Sequence, residues 1–260
     1  MEHHEFFVAT VFNRYIANPI AGLLGFHVGH DVLPAHVVMI ILVALGLILV
    51  SLLIRRRLSV DNPGPLQQFL ELIFEGVLGF MRDIIGPNAR RFFPLIGSLF
   101  LYIWVSNLIG LVPGFMSPTS NINVTAGSAV IVFLYYNYQG FKAHGFVKYM
   151  AHFAGPSLVI APLLFVIEII SHLARPFSLS VRLFGNIFAE ELIIGSLNNI
   201  FPFLISLPVM ALGLFASTVQ AFIFIVLTMV YIGGAVEHAH DEGDHSAPDE
   251  EHKTLEPTKG

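Results

Sequence analysis

Two apolar stretches, about residues 159 to 197 and about residues 205 to 235, limit what this chain can fold into more than any other feature. As helices rising 1.5 Å per residue they would be roughly 60 Å and roughly 45 Å long, against a hydrocarbon core of about 30 Å. They must therefore tilt steeply or bend. Pro176 offers one place for a bend, with Ser178 and Ser180 nearby to satisfy the backbone groups that a proline frees. Joined by "NNIFPFLIS", the two stretches read as an antiparallel hairpin.

The composition supports a bilayer setting. Of 260 residues, 55% are hydrophobic and 12% charged, and the mean hydropathy is +0.75, which is too apolar for an ordinary soluble domain. The formal charge of -5 lies mostly in the C-terminal tail and gives no reason to expect a nucleic-acid partner. Cysteine is absent, which removes disulfide frameworks and thiolate metal sites. The opening "MEHHEFF" lacks the basic start of a secretory signal, so none is expected.

The first span runs from about residue 34 to 54 and meets Arg55, Arg56 and Arg57 at once. By the positive-inside rule these arginines hold its end in the cytoplasm and leave residues 1–33 outside. After the "DNPGP" break, residues 66–85 mix apolar side chains with Gln67, Gln68, Glu71, Glu75, Arg82 and Asp83, the pattern of an amphipathic helix at the interface. A second span begins near Phe92 or Pro94 and stops at Pro113 and Gly114; "MSPTSNINVTAG" is expected to be a short outer loop, and about residues 126 to 136 to return inward. The expected fold is an all-α polytopic membrane protein of about five membrane helices plus an interfacial amphipathic helix, the last two long, tilted and paired as a hairpin. Its units are an external segment 1–33, a membrane domain 34–236, and a disordered cytoplasmic tail 237–260.

At 100° per residue, Glu168, Ser171, His172, Arg175, Ser178, Asn186 and Glu190 share one sector of roughly 120° with Arg182, while Glu191 points away. On the partner stretch Gly213, Ser217, Gln220 and Tyr231 align. Antiparallel pairing sets Gln220 near the depth of Arg182 and Gly213 opposite Glu190 and Glu191, where its small size leaves room for the carboxylates. Arg175, nearer the helix start, reads as an arginine snorkelling to the headgroups. Arg182 sits deeper, where an arginine costs about 2.5–3.5 kcal/mol, so a function is expected of it. Two readings stand for Glu190 and Glu191, buried neutral carboxyls or groups lining a water-filled cavity. Ser178, Asn186 and Gln220 are either packing glue or part of a path. The "HAH" of the tail is read as part of a solvated acidic segment, with metal uptake the alternative.

"RLFGN" (182–186) followed by a glutamate, "QAFIFIVLTMVYI" (220–232) on the next helix and "PTSNINVT" (118–125) together resemble subunit a of the F-type ATP synthase, the stator component facing the rotating c-ring. The resemblance implies that Arg182 is the essential arginine. It implies that Asn186, Glu191 and Gln220 form its polar surroundings, and that Glu168 and Ser178 belong to a cytoplasmic access path. It also implies a c-ring and a peripheral stalk subunit b as partners beside membrane lipid, protons as the transported ion, and no cofactor or metal. The expected location is a bacterial inner membrane, N-terminus outside and C-terminus cytoplasmic. Many bacterial members carry glycine where Glu190 stands and histidine where Gly213 stands, whereas this chain is similar to the chloroplast form; Glu190 is expected to replace that histidine as outer proton acceptor. A secondary ion-coupled transporter is the alternative, weakened by the lack of a visible repeat. No GxSxG, HExxH or Walker A motif suggests chemistry within the chain itself.

Overall fold

A computed structural model describes residues 7–19, 33–59, 62–112, 115–145, 161–200 and 206–241. Among them there are seven α-helices and no strand: α1 (Phe7–Phe12), α2 (Ala35–Arg57), α3 (Pro65–Ile85), α4 (Phe93–Ile109), α5 (Ile122–His144), α6 (Ala161–Ile200) and α7 (Ser206–Asp241). A π-helical turn, Asn13–Ala17, continues α1, and 3-10 turns at Pro87–Arg91 and Pro118–Ser120 precede α4 and α5. The all-α polytopic expectation is met.

Local chemistry sets the helix boundaries. Pro65 opens α3 where a missing N–H is harmless, and Gly86, at φ 94°, ends it in a conformation that a side chain would strain. Asn121 caps α5 by accepting from the Asn123 N–H at 3.0 Å. Gly145, at φ 75°, closes the same helix. Ahead of α2, Asn13 is buried and grips the chain at Leu33 through both its amide nitrogen (2.8 Å) and its amide oxygen (3.3 Å).

Among the described residues, three helical stretches are long and apolar enough to cross a bilayer: Ala35–Arg56, Pro162–Leu197 and Pro208–Val236. Helix α4 is apolar over 17 residues, about 25 Å. Helix α5 has 23 residues where the sequence reading expected a short run near 126–136. Its polar side chains hide its length. Thr125, Ser128 and Gln139 are all buried in the bundle instead of facing lipid. The outer loop is correspondingly shorter than expected, and Ser117, Thr119 and Ser120 within it are buried.

Helices α6 and α7 have 40 and 36 residues, about 60 Å and about 54 Å, so the demand that they tilt steeply or bend stands. Pro176 lies inside α6 without ending it. Ser178 donates to the Arg175 carbonyl at 3.1 Å, while Ser180 pairs with Thr125 of α5 at 3.2 Å and so ties two helices together instead of repairing the backbone. The link between α6 and α7 at residues 201–205 lies outside the described residues. Helix α7 runs on to Asp241, past the expected start of the tail at 237; the tail from 242 lies outside them too.

The core is where α3, α4, α5, α6 and α7 meet, built from Met81, Ile96, Ile103, Tyr136, Leu183, Phe224, Met229 and their neighbours. At one contact the backbones themselves touch. A Cβ on Gly233 of α7 would lie 3.1 Å from the Ile84 carbonyl oxygen of α3, whereas one on Gly234 would meet nothing within 4 Å. Gly233→Leu should therefore push α3 off α7 at a cost of about 1–3 kcal/mol, seen as a lower thermal midpoint of the purified assembly, and Gly234→Leu should not. Equal loss in both variants would refute this account of the contact.

Candidate functional site

Helix α6 turns Leu179, Leu183 and Ile187 into the bundle, chiefly against α5 and α7. Its polar residues therefore lie along the edges of the packed face, at three levels.

At the first level, the Glu168 carboxylate stands 3.9 Å from the Arg175 guanidinium, both groups partly exposed. The guanidinium also lies 5.6 Å from the centre of the Tyr231 ring on α7, an arrangement of the cation–π kind. His172 is buried against Phe133 and Tyr136 of α5 and its Nε2 is 2.9 Å from the Asn137 side-chain oxygen. Ser178 is exposed.

The second level holds Arg182. Its side chain is exposed and has no hydrogen bond or ion pair among the described residues. One turn on, the Asn186 amide nitrogen donates to the Gln220 side-chain oxygen at 2.6 Å. Gln220 is buried, and its hydrogen bond goes to Asn186, one turn nearer the hairpin link than Arg182, with which the sequence reading had paired it in depth.

At the third level Glu190 and Glu191 leave α6 on either side of its buried face, yet both enter one polar network. The Ser217 hydroxyl of α7 donates to Glu190 at 3.1 Å, and the Ser117 backbone N–H donates to Glu191 at 2.9 Å. Between them the Asn107 amide of α4 donates to the Ser217 carbonyl (3.2 Å), and the Thr119 hydroxyl donates to the Asn107 side-chain oxygen (2.6 Å). The Ser117 and Thr119 hydroxyls lie 2.7 Å apart, and Ser117 donates to the Ser106 carbonyl at 2.9 Å. One oxygen of Glu190, Oε1, is buried with no hydrogen-bond partner among the described residues. Beside it a Cβ on residue 213 would collide with the Glu190 carboxyl group and come within 3.0 Å of Leu111. The expected role of Gly213, making room for a carboxylate, is seen at Glu190.

Asn107, Ser117 and Thr119 escaped the sequence reading as site residues. For Ser117 and Thr119 the signal was the run "SPTSN", two residues after a Pro–Gly break, which offers several side-chain hydrogen-bonding groups close together.

The sequence matches the family described as ATP synthase A chain over residues 36–233. The chain belongs to the ATP synthase A chain family. Among similar proteins, an ATP synthase subunit a from Geotalea uraniireducens is 48% identical over 200 residues, covering 77% of this chain and 86% of the relative. One from Geobacter sulfurreducens is 46% identical over 199 residues, covering 76% and 86%. An ATP synthase subunit a 3 from Pelobacter propionicus is 46% identical over 194 residues, covering 75% and 84%. Family membership and the long apolar helices together make this a bacterial membrane protein.

Within this member of the family, Gly213→Ala should displace Glu190 and lower the thermal midpoint of the assembled complex, by about 1–3 kcal/mol of overpacking. Shortening the carboxylate side should remove the collision, so Glu190→Gly with Gly213→Ala should recover most of that loss. A double-mutant cycle of thermal midpoints checks it; strictly additive effects would mean that the two positions do not press on each other.

Proposed function

We propose that this chain is the stator subunit of the ATP synthase membrane sector, supplying two offset proton half-paths to a c-ring and an arginine, Arg182, that couples proton passage to rotation. The observation that carries the proposal is the state of Arg182. A cation within a bilayer span is costly, and this one faces outward from the packed helices with no partner among the described residues. Its counter-charge must then come from another subunit, and a ring carboxylate passing the outer face of α6 meets that need.

Arginine suits the role because it stays charged at any working pH and so does not relay protons through itself. A ring carboxyl must be neutral in lipid and ionised beside the guanidinium. Arg182 attracts the approaching carboxylate, and the proton leaves towards the side of Glu168 and Ser178. On the other side of Arg182 the ring is reloaded by way of Glu190 and Glu191. A potential of 100 mV is worth about 2.3 kcal/mol per elementary charge, and offset half-paths turn that drop into a sideways push on the ring. Asn186 and Gln220, joined to each other, hold a neutral polar surface beside the arginine.

The two glutamates have different parts. Glu191 is fixed by a backbone N–H, a donor that cannot turn away. Glu190 is held at one oxygen by a rotatable hydroxyl and keeps the other unpaired, which suits it to accept and pass on a proton. Stalk subunit b and the c-ring complete the unit. The arginines at the end of α2 put that end in the cytoplasm, with residues 1–33 outside.

Arg182→Ala should abolish ATP-driven proton pumping in inverted membrane vesicles, by at least two orders of magnitude, with the subunit still assembled. Normal coupled pumping would overturn the assignment. Glu190→Gln should cut proton flux at least tenfold; untouched flux in that variant, beside abolished flux in Glu191→Gln, would move the acceptor role to Glu191.

A further inference from the structure

Arg175 and Arg182 are seven residues apart on α6, which puts them within about 20° of each other around the helix and about 10 Å apart along it. One of these two cations is free and the other is held. Arg182 is exposed, with no ion pair, hydrogen bond or overlying ring among the described residues. Arg175 instead has the Glu168 carboxylate at 3.9 Å and the face of Tyr231 of α7 at 5.6 Å.

The register of the hairpin accounts for the difference. Asn186 and Gln220 are hydrogen-bonded across it. Eleven residues from that pair along each helix, away from the link, the same register brings Arg175 to Tyr231. Four residues from the pair it sets Phe224 at the level of Arg182, and Phe224 is fully buried in the core. Tyr231 is itself backed by α5. Its ring lies 5.9 Å from that of Tyr136, which is buried and packs edge-on against Phe133 and His172.

The two holds on Arg175 differ in kind. At 3.9 Å the carboxylate stands about 1 Å beyond a direct charge-assisted hydrogen bond, and it attracts a cation only while ionised. On the function proposed for this chain, protons leaving the ring pass by Glu168, and a proton taken up there cancels that attraction. The face of Tyr231 attracts the guanidinium through the ring quadrupole, which is the same whether Glu168 is protonated or not.

We infer that Tyr231 is a positioning residue: it keeps Arg175 at the seam of α6 and α7 while Glu168 gains and loses protons, so that Arg175 does not compete with Arg182 for a ring carboxylate. The inference rests on Arg182 as the stator charge proposed above. Without the ring face, Arg175 swings out on its long stem whenever Glu168 is neutral. It then holds the passing carboxylate at a second place, about two turns from the first, and slows it.

The test uses the whole complex in inverted membrane vesicles. Tyr231 is replaced by phenylalanine, and then by phenylalanines carrying one, two and three ring fluorines, incorporated by amber suppression. Fluorine drains the negative face of the ring with little change of shape, so packing is kept while the hold on a cation weakens. ATP-driven proton pumping per assembled complex should stay within about twofold of wild type in Tyr231→Phe and fall stepwise to about a fifth with three fluorines. With Arg175→Gln in the same chain the series should be flat, because no cation is left to hold. A flat series with Arg175 present overturns the inference. So does a series that falls equally with Arg175→Gln, since Tyr231 would then act through packing alone. Arg182→Ala in the same vesicles tests the underlying reading separately. Normal pumping in that variant removes the stator charge and this inference with it, whereas lost pumping there beside a flat series removes only the role of Tyr231.

Discussion

The burial of Leu179, Leu183 and Ile187 against α5 and α7 fixes the rotation of α6, and with it the fate of every charge on that helix. With those three inside, Arg182 is turned out, Glu190 is set against α7, and Glu191 against the Ser117 turn. A rotation of one residue, about 100°, would exchange these environments. The apolar packing that stabilises the bundle is thus also what separates an outward cation from inward acids. The separation matters because the same arginine and glutamates in contact would neutralise one another and leave no free cation on the outer face of α6.

Much of this was legible from residue order alone. The long stretches that form α6 and α7, the amphipathic α3 and the space left by Gly213 all follow from periodicity and length. What periodicity could not reveal was a helix made polar by its neighbours. Thr125, Ser128, Asn137 and Gln139 lower the apolarity of α5 because they meet partners inside the bundle: Ser180 for Thr125, His172 for Asn137, Arg91 for Gln139. Hydropathy measures what lipid would tolerate, and α5 is largely shielded from lipid on its polar side. The same limit hid Asn107, Ser117 and Thr119, whose importance lies in contacts more than a hundred residues apart in the case of Asn107 and Ser217.

The polar levels of α6 are built from different materials. Near Glu191 the partners are small hydroxyls, an amide and backbone groups, closely spaced and hydrogen-bonded in series. Near Glu168 and Arg175 they are mostly rings, with Tyr231, Tyr136 and Phe133 about His172 and the guanidinium. Small hydroxyls can turn, and can both give and take a hydrogen bond, so a series of them suits proton exchange. Ring faces instead hold a cation by their electron-rich surface, and the Tyr136 hydroxyl, 3.3 Å from His172 Nε2, puts a polar group among them.

That contrast bears on how steep tilt and function fit together. A helix of about 60 Å cannot stand upright in a core of about 30 Å, so its polar levels are spread sideways as well as in depth. Glu168 and Glu190 are separated by 22 residues, about 33 Å along the axis, which tilt divides between a vertical and a lateral part. An upright helix would stack the two levels at one lateral position. Tilt sets them at different positions along the outer face of α6, with Arg182 between; on the proposed function, a proton taken up beside one and released beside the other would have to be carried across. On the function proposed for this chain, the excess length that first marked these stretches as unusual is the geometric condition for two offset half-paths.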